Sequence, residues 1–344
     1  MSERTAAVVG AGGRGRDHVL AYERVDGARP VACAARTDPR RDDLAEEFGL
    51  AAYDDAAAML ADTDPDVVHV ATPPQVRVSV LEAVSRAGVP ACTVEKPVAV
   101  GVSDWRALRD LAERSETKFA VCHQFRWHPH LARCREAIRS GDLGEVEFVE
   151  CSARLVVTDQ GTHCLHYGNA LNGDARVREV FGNVGGEYRD GGDRTHPGPD
   201  ATEAVVTFEN GVRAAWTTGG AGTRVAGADR EYQHVRCVAH AEAGRVEWEE
   251  FGDWAVVSGG RSEGGDFGGE ETWRENNRRA QAAFHRAMFD WLDGSDPPGT
   301  HLERSLHEWK AVLALYESAL ANEPVRLDEF DPDERLVDRV AAAL

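Results

Sequence analysis

Hydrophobic and polar positions follow two rhythms in the first third of the chain. Short apolar runs, several of them β-branched, occur at Ala6–Val9, Pro30–Ala34, Val67–Ala71, Ala91–Val94 and Phe119–Val121. Between them lie helical patterns at Gly15–Val25, Arg41–Phe48, Asp55–Ala61, Val76–Ala87 and Asp104–Arg114. Continuous apolar runs read as strands buried on both faces, and the segments between them as covering helices. Alternation at this spacing predicts an α/β domain with a doubly wound parallel sheet, since right-handed helical crossovers join parallel strands.

After about residue 125 the rhythm changes. A helical stretch, His130–Ile138, leads to a strand-like Glu145–Cys151. Two further runs, Ala204–Phe208 and Val212–Thr217, are separated by Glu209-Asn210-Gly211, and Asn-Gly between apolar runs is a strong hairpin signal. Strand-like runs follow at Val235–Ala239, Val246–Glu249 and Trp254–Val257, and two amphipathic helices, Asn277–Leu292 and Leu302–Leu320, close the region. The pattern predicts an α+β domain with an open, mostly antiparallel sheet. The expected division is residues 1–125 and 126–344. Arg189–Asp200 and Gly259–Gly269, rich in glycine and polar residues, read as exposed loops.

The first strand runs into Gly10-Ala11-Gly12-Gly13-Arg14-Gly15 and then into a helix. In that context a G-x-G-x-x-G reads as a Rossmann dinucleotide fingerprint. Gly10 permits the tight turn, Gly12 a close backbone approach to a pyrophosphate, and Gly15 close helix–strand packing. The end of the second strand chooses the cofactor. An NAD site expects a carboxylate near Ala35; the chain offers Arg36 and Thr37, suited to a ribose 2′-phosphate. This favours NADP, with NAD possible should Asp38 take the ribose role.

Charge narrows the field. The net charge of −20 repels phosphate backbones, which argues against a nucleic-acid partner. Lysines number three, Lys96, Lys118 and Lys310, so any functional lysine is one of these. An acidic chain with arginine in place of lysine reads as halophile-like, although a GC-rich genome also explains the arginine. No apolar run approaches the ~20 residues of a membrane span, and the first strand begins too near the N-terminus for a secretory leader. Seven scattered cysteines without a CxxC pair suit a reducing cytoplasm.

Two clusters carry chemistry. Glu95-Lys96-Pro97 ends a predicted parallel strand, the side of such sheets where ligands bind. In Asp159-Gln160-Gly161-Thr162-His163-Cys164-Leu165-His166, a helix would make Asp159 and His163 i,i+4 neighbours, about 6 Å apart at Cβ. A carboxylate beside an imidazole fixes its tautomer and suits a general base. His163 and His166 lack a third ligand at a recognisable spacing, so no metal is expected. His128-Pro129-His130 reads as a helix entry.

In order along the chain, Gly10–Gly15, Ala71-Thr72-Pro73-Pro74, Glu95-Lys96-Pro97, Phe125-Arg126-Trp127-His128-Pro129, Gly141-Asp142-Leu143-Gly144-Glu145, the D-x-x-x-H of Asp159 and His163, and Phe208-Glu209-Asn210-Gly211 resemble the Gfo/Idh/MocA family of NAD(P)-dependent oxidoreductases. The resemblance implies a Rossmann domain followed by an α/β domain with an open sheet, often assembled as a homodimer or homotetramer, and sugar or polyol substrates. It implies Lys96 as the lysine that polarises or protonates the substrate oxygen, His163 as proton acceptor and Asp159 as the residue positioning substrate and histidine. The expected cofactor-binding set is Gly10, Gly12, Gly13, Arg14, Gly15, Arg36, Thr37, Thr72, Pro73, Glu95 and Gln124. The expected substrate set is Lys96, Arg126, Trp127, Asp159, His163 and His166. Where many members carry H-x-H this chain has Gln75-Val76-Arg77, and His166 stands where many have Asp. Glycoside cleavage through transient oxidation, or a non-catalytic sugar- or dinucleotide-binding regulator, are the alternatives on the same fold.

Overall fold

A computed structural model describes residues 3–36, 39–191 and 196–344. Thr37 and Asp38, the residues on which the NADP argument partly rests, lie outside the described residues, as does part of the Arg189–Asp200 stretch.

The chain forms two compact units. One comprises residues 1–99, 104–127 and 276–306; the other residues 100–103, 128–275 and 307–344. The first holds β1 (Arg4–Val9), β2 (Ala28–Ala34), β3 (Ala51–Tyr53), β4 (Val67–Val70), β5 (Ala91–Val94) and β6 (Lys118–Val121), all parallel, in the order β3-β2-β1-β4-β5-β6. The helices α1 (Gly13–Ala21), α2 (Pro39–Phe48), α3 (Ala56–Thr63), α4 (Arg77–Arg86) and α5 (Val102–Arg114) alternate with these strands. The strands β4 and β5 are buried at every position, and their two polar residues, His69 and Thr93, hydrogen-bond to each other. Ligands of such a sheet bind beyond its carboxyl ends where the strand order reverses, here between β1 and β4.

The expected division at residue 125 differs from the structure over residues 276–306. Ala282, Phe284, Met288 and Phe289 join Tyr22, Val25, Ala28, Val67 and Ala120 in one buried cluster of the first unit. Sequence distance hid this, because a helix with one apolar stripe does not declare which sheet it will cover.

The second unit holds α6 (Pro129–Arg139), β7 (Val146–Ala153), α7 (Thr162–Leu171), β8 (Val177–Arg189), β9 (Gly198–Phe208), β10 (Arg213–Gly219), β11 (Val235–Ala241), β12 (Gly244–Glu249), β13 (Trp254–Ser258) and β14 (Arg261–Gly265). After α8 (Gly269–Leu292) and α9 (Leu302–Ala321) come β15 (Val325–Arg326) and α10 (Leu336–Ala343). The nine strands run β14-β13-β12-β11-β7-β10-β9-β8-β15, antiparallel except for the β10–β7 pair. The Asn210-Gly211 hairpin forms, with Arg213 opposite Thr207 and Gly211 at φ 88°. The expected Gly259–Gly269 loop is instead partly β14, whose residues are all exposed. As an edge strand it lacks the apolar alternation that marks a half-buried strand. Likewise β8 and β9 pair as far as Arg189 and Gly198, inside the other expected loop.

Candidate active site

In the first unit the glycine loop is built by backbone contact. Gly10 has φ 108°, and a Cβ there would stand 2.5 Å from the Ala71 carbonyl oxygen after β4. A Cβ on Gly15 would stand 1.8 Å from the Gly10 carbonyl oxygen. These two glycines let α1 start directly against β1 and β4. Gly12 and Gly13 differ, since a Cβ on either would meet nothing within 4 Å. Gly12 caps α1 without a side-chain hydrogen bond, and the first turn carries no acid. The helix therefore presents N–H groups and the positive end of its dipole to a space that fits an anion. Beside it, after β4, the Thr72 hydroxyl is buried without a hydrogen-bond partner. An open helix N-terminus and an orphaned hydroxyl fit a dinucleotide pyrophosphate.

Arg14, expected among the cofactor residues, turns to its own protein. Its guanidinium pairs with Glu95 at 2.9 Å and Asp17 at 2.8 Å, and donates to Gln281 Oε1 at 3.0 Å. Glu95 is buried and is also 3.2 Å from His18 Nε2. Burial pushes the Glu95 carboxyl up, but the Arg14 charge and the His18 hydrogen bond outweigh it and hold the carboxyl well below its usual range. The fingerprint loop is thus tied to the turn carrying Lys96, which lies half-buried just beyond β5. The other two lysines are committed elsewhere. Lys118 donates to the Trp291 carbonyl and Lys310 to that of Leu327.

Arg77 is the residue whose role sequence reasoning missed. It is buried, donates to the Thr72 carbonyl at 2.8 and 3.0 Å, and also donates to the Pro97 carbonyl. It therefore clamps the turns after β4 and β5, on either side of Lys96's strand end, rather than facing solvent at the start of α4. Burial pushes its guanidinium down to about 10. Its signal was an arginine in an apolar helix start, which sequence alone does not distinguish from a surface residue.

Of the remaining expected residues here, Arg36 is exposed just past β2, and Pro73 is exposed after β4. Gln124 is buried, donating to Asn277 Oδ1 at 3.3 Å. Arg126 is buried against Gly299, and the Trp127 ring packs 5.2 Å from Phe284. Arg126 and Trp127, expected to touch substrate, contribute to packing within this unit.

Behind Glu95 lies a group the sequence did not announce. His18 Nδ1 and His285 Nε2 are 3.0 Å apart, in rings inclined by only 9°. His69 stacks on both, at 4.6 and 4.2 Å between centroids, and bonds Tyr22 Oη and Thr93 Oγ1 at 2.7 Å each. The three rings form a buried hydrogen-bonded stack. One ring nitrogen from each of the three lies within 4.8 Å of the others, a spacing that could also hold a metal ion. Burial, reinforced by neighbouring imidazoles, lowers His69 and His285; burial lowers His18 against the opposing pull of Glu95. An imidazole with a lowered folded value stays neutral while its unfolded counterpart charges below about 6.5. Stability is therefore full above that pH and is lost as pH falls below it. Each proton taken up only by the unfolded chain costs about 1.4 kcal/mol per pH unit. The urea midpoint is expected to drop steeply from pH 6.5 to 5.5, before the carboxylates titrate. A midpoint unchanged from pH 7.5 to 5 rules this out.

In the second unit Asp159 lies in a π-helical turn, Val157–Gly161, that leads into α7. The turn replaces the regular helix assumed for the D-x-x-x-H spacing. Trp216 Nε1 donates to the Gly161 carbonyl at 3.1 Å and anchors it from β10. The helix α7 lies close on β7, where a Cβ on Gly168 would stand 2.2 Å from Cys151 Sγ. Asp159 is buried and His163 half-buried. His163 Nδ1 is 2.9 Å from the hydroxyl of Tyr167, one turn on. His166 is fully buried, its Nδ1 2.8 Å from Glu308 Oε2 on α9. His128 behaves as the expected helix entry, its Nδ1 accepting from the His130 N–H at 3.3 Å ahead of Pro129.

Residues 4–123 match the model of an oxidoreductase family with an NAD-binding Rossmann fold. The strand order and glycine loop above give the first unit the Rossmann fold of that model. Over those residues the chain is similar to the Gfo/Idh/MocA oxidoreductases. It is 30% identical to D-apiose dehydrogenase of Paraburkholderia graminis over 60% of this chain and 58% of that protein. It is 31% identical to inositol 2-dehydrogenase of Rhizobium meliloti over 43% and 44%. The chain thus spans less than two thirds of the length of either relative. A solved oxidoreductase from Agrobacterium radiobacter, in complex with NAD+, L-tartaric acid and magnesium, shares the fold. Its TM-score is 0.80 at 21% identity, covering 95% of this chain and 99% of that one.

Proposed function

We propose that this chain is an NADP-preferring dehydrogenase that oxidises a CH–OH group of a sugar or polyol. One observation carries the reading: a single parallel sheet sends β1 into an uncapped, sterically open glycine loop and β5 into Lys96. A bound nicotinamide dinucleotide supplies the hydride acceptor. Gly12, Gly13 and the α1 N-terminus hold its pyrophosphate, and the orphaned Thr72 hydroxyl offers it a further hydrogen bond. The Lys96 ammonium donates to the substrate oxygen and steadies its developing negative charge. His163 removes the hydroxyl proton, with Asp159 in the preceding turn helping to orient substrate. The similarity to a D-apiose dehydrogenase and an inositol 2-dehydrogenase supports a polyhydroxylated substrate.

Arg36, exposed at the end of β2, supports preference for a 2′-phosphate. Phe181, Val205 and Phe148 are exposed apolar side chains of β8, β9 and β7, and Phe181 stands opposite Val205. That apolar sheet surface supports a homodimer or homotetramer. Seven unpaired, buried cysteines support a cytoplasmic setting. Among the described residues, no helix is long and apolar enough to cross a membrane.

The test is an absorbance assay of nicotinamide reduction, with NADP and NAD, against a panel of sugars and polyols at low and high salt. Turnover with at least one panel member is expected, with a lower KM for NADP than for NAD. Arg36→Ala is expected to erase that difference. Absence of reduction throughout the panel at either salt level overturns the dehydrogenase reading; an NADP preference that survives Arg36→Ala overturns the cofactor assignment.

A further inference from the structure

A histidine that accepts a proton must present an unprotonated ring nitrogen to the substrate. Its other nitrogen must then carry the hydrogen in the neutral state, and a hydrogen-bond acceptor at that second nitrogen selects the tautomer. The His163 Nδ1 lies 2.9 Å from Tyr167 Oη. Tyr167 is fully buried, and its ring is flanked edge-on by Trp248 at 5.6 Å and by His166 at 5.9 Å. His166 is itself tied to Glu308. The phenol is therefore a fixed post in the interior of the second unit, while His163 one turn earlier is only half-buried. The His163 and Tyr167 rings are inclined by 15°, with centroids 5.4 Å apart.

We propose that Tyr167 is a positioning residue that acts through His163. Its hydroxyl oxygen accepts the Nδ1–H of the neutral imidazole, which leaves the proton-accepting lone pair on Nε2. When Nε2 takes the substrate proton, the imidazolium Nδ1–H donates to the same oxygen with added charge, and the bond strengthens. No atom moves except the transferred proton. The inference rests on the reading of His163 as the base. It reassigns the tautomer-fixing role that the D-x-x-x-H spacing gave to Asp159. A phenol oxygen is a weaker acceptor than a carboxylate, so it orients the ring while raising its basicity less, which suits a base working near neutral pH.

The test uses Tyr167→Phe in the full chain, which keeps the ring packed against Trp248 and removes only the hydroxyl. The expected kcat is about tenfold lower at pH 7, with KM for substrate little changed. The acid limb of the kcat/KM profile is expected to move to lower pH, because the imidazolium has lost an acceptor. Independently of turnover, long-range 1H–15N spectra of histidine-labelled protein read the tautomer, with His163 signals identified by their loss in His163→Gln. Wild type is expected to show a protonated Nδ1, and Tyr167→Phe a shift toward protonated Nε2. An unchanged tautomer in Tyr167→Phe overturns the proposal, as does an unchanged kcat and acid limb. Full turnover in His163→Ala overturns instead the assignment of the base, and the spectra then still decide what Tyr167 holds.

Discussion

Glu95→Ala is expected to cost the Rossmann unit about 3 kcal/mol, as removing one partner of a buried ion pair does. The carboxylate is 6% exposed and serves two partners at once. Without it the Arg14 guanidinium keeps only Asp17 and Gln281 as strong partners, and the fully buried His18 loses the acceptor at Nε2. Arg14 is about one-third exposed, so water recovers part of its loss, which holds the cost at the lower end of the range for buried pairs. Glu95→Gln, which keeps the shape and one acceptor, is expected to cost less than Glu95→Ala. Urea unfolding followed by tryptophan fluorescence measures both. A loss under about 1 kcal/mol for Glu95→Ala means that the pair is not buried as described. Dinucleotide affinity is expected to fall as well, because Arg14 belongs to the loop proposed to hold the pyrophosphate.

How far the sequence revealed this site depended on whether the determining contacts were local. The glycine loop was legible because Gly10 and Gly15 are required by backbone geometry that any dinucleotide loop shares, and that geometry shows in the residue type itself. Strands β4 and β5 were legible because short, mostly apolar and partly β-branched runs alternate there with helical patterns. The three-residue β3 was missed because it is too short to carry a pattern, and β14 because an exposed edge needs none. The assignment of 276–306 failed on a long-range contact, the packing of Phe284 and Met288 beside Tyr22 and Val25. The side-chain roles were the least legible. Arg14, expected among the cofactor residues, is a partner of Glu95, and Arg77, which no expectation covered, clamps two carbonyls. His166 looked like a substrate contact and is bonded to Glu308, 142 positions away. Glu95 and Glu308 come from distant segments about which spacing along the chain says nothing, and the carbonyls that Arg77 clamps leave no trace in residue type.

Lys96→Ala and His163→Ala are each expected to lower kcat/KM by about 10²–10⁴, the usual worth of a positioned acid or base. Dinucleotide affinity should change little in either, since the glycine loop and the α1 N-terminus are untouched. The lysine prediction is unusually clean because the chain has so few alternatives. Lys118 and Lys310 each donate to a backbone carbonyl in their own surroundings, so Lys118→Arg and Lys310→Arg are expected to retain turnover. The two residues are proposed to serve one proton transfer, the lysine at the oxygen and the histidine at its hydrogen. Groups that act as a unit are not additive: once one is gone, removing the second costs little more. The double variant is therefore expected to fall within about tenfold of the slower single variant. Losses that instead multiply would mean that lysine and histidine serve separate steps, and turnover that survives Lys96→Ala undiminished would remove the lysine from the chemistry altogether.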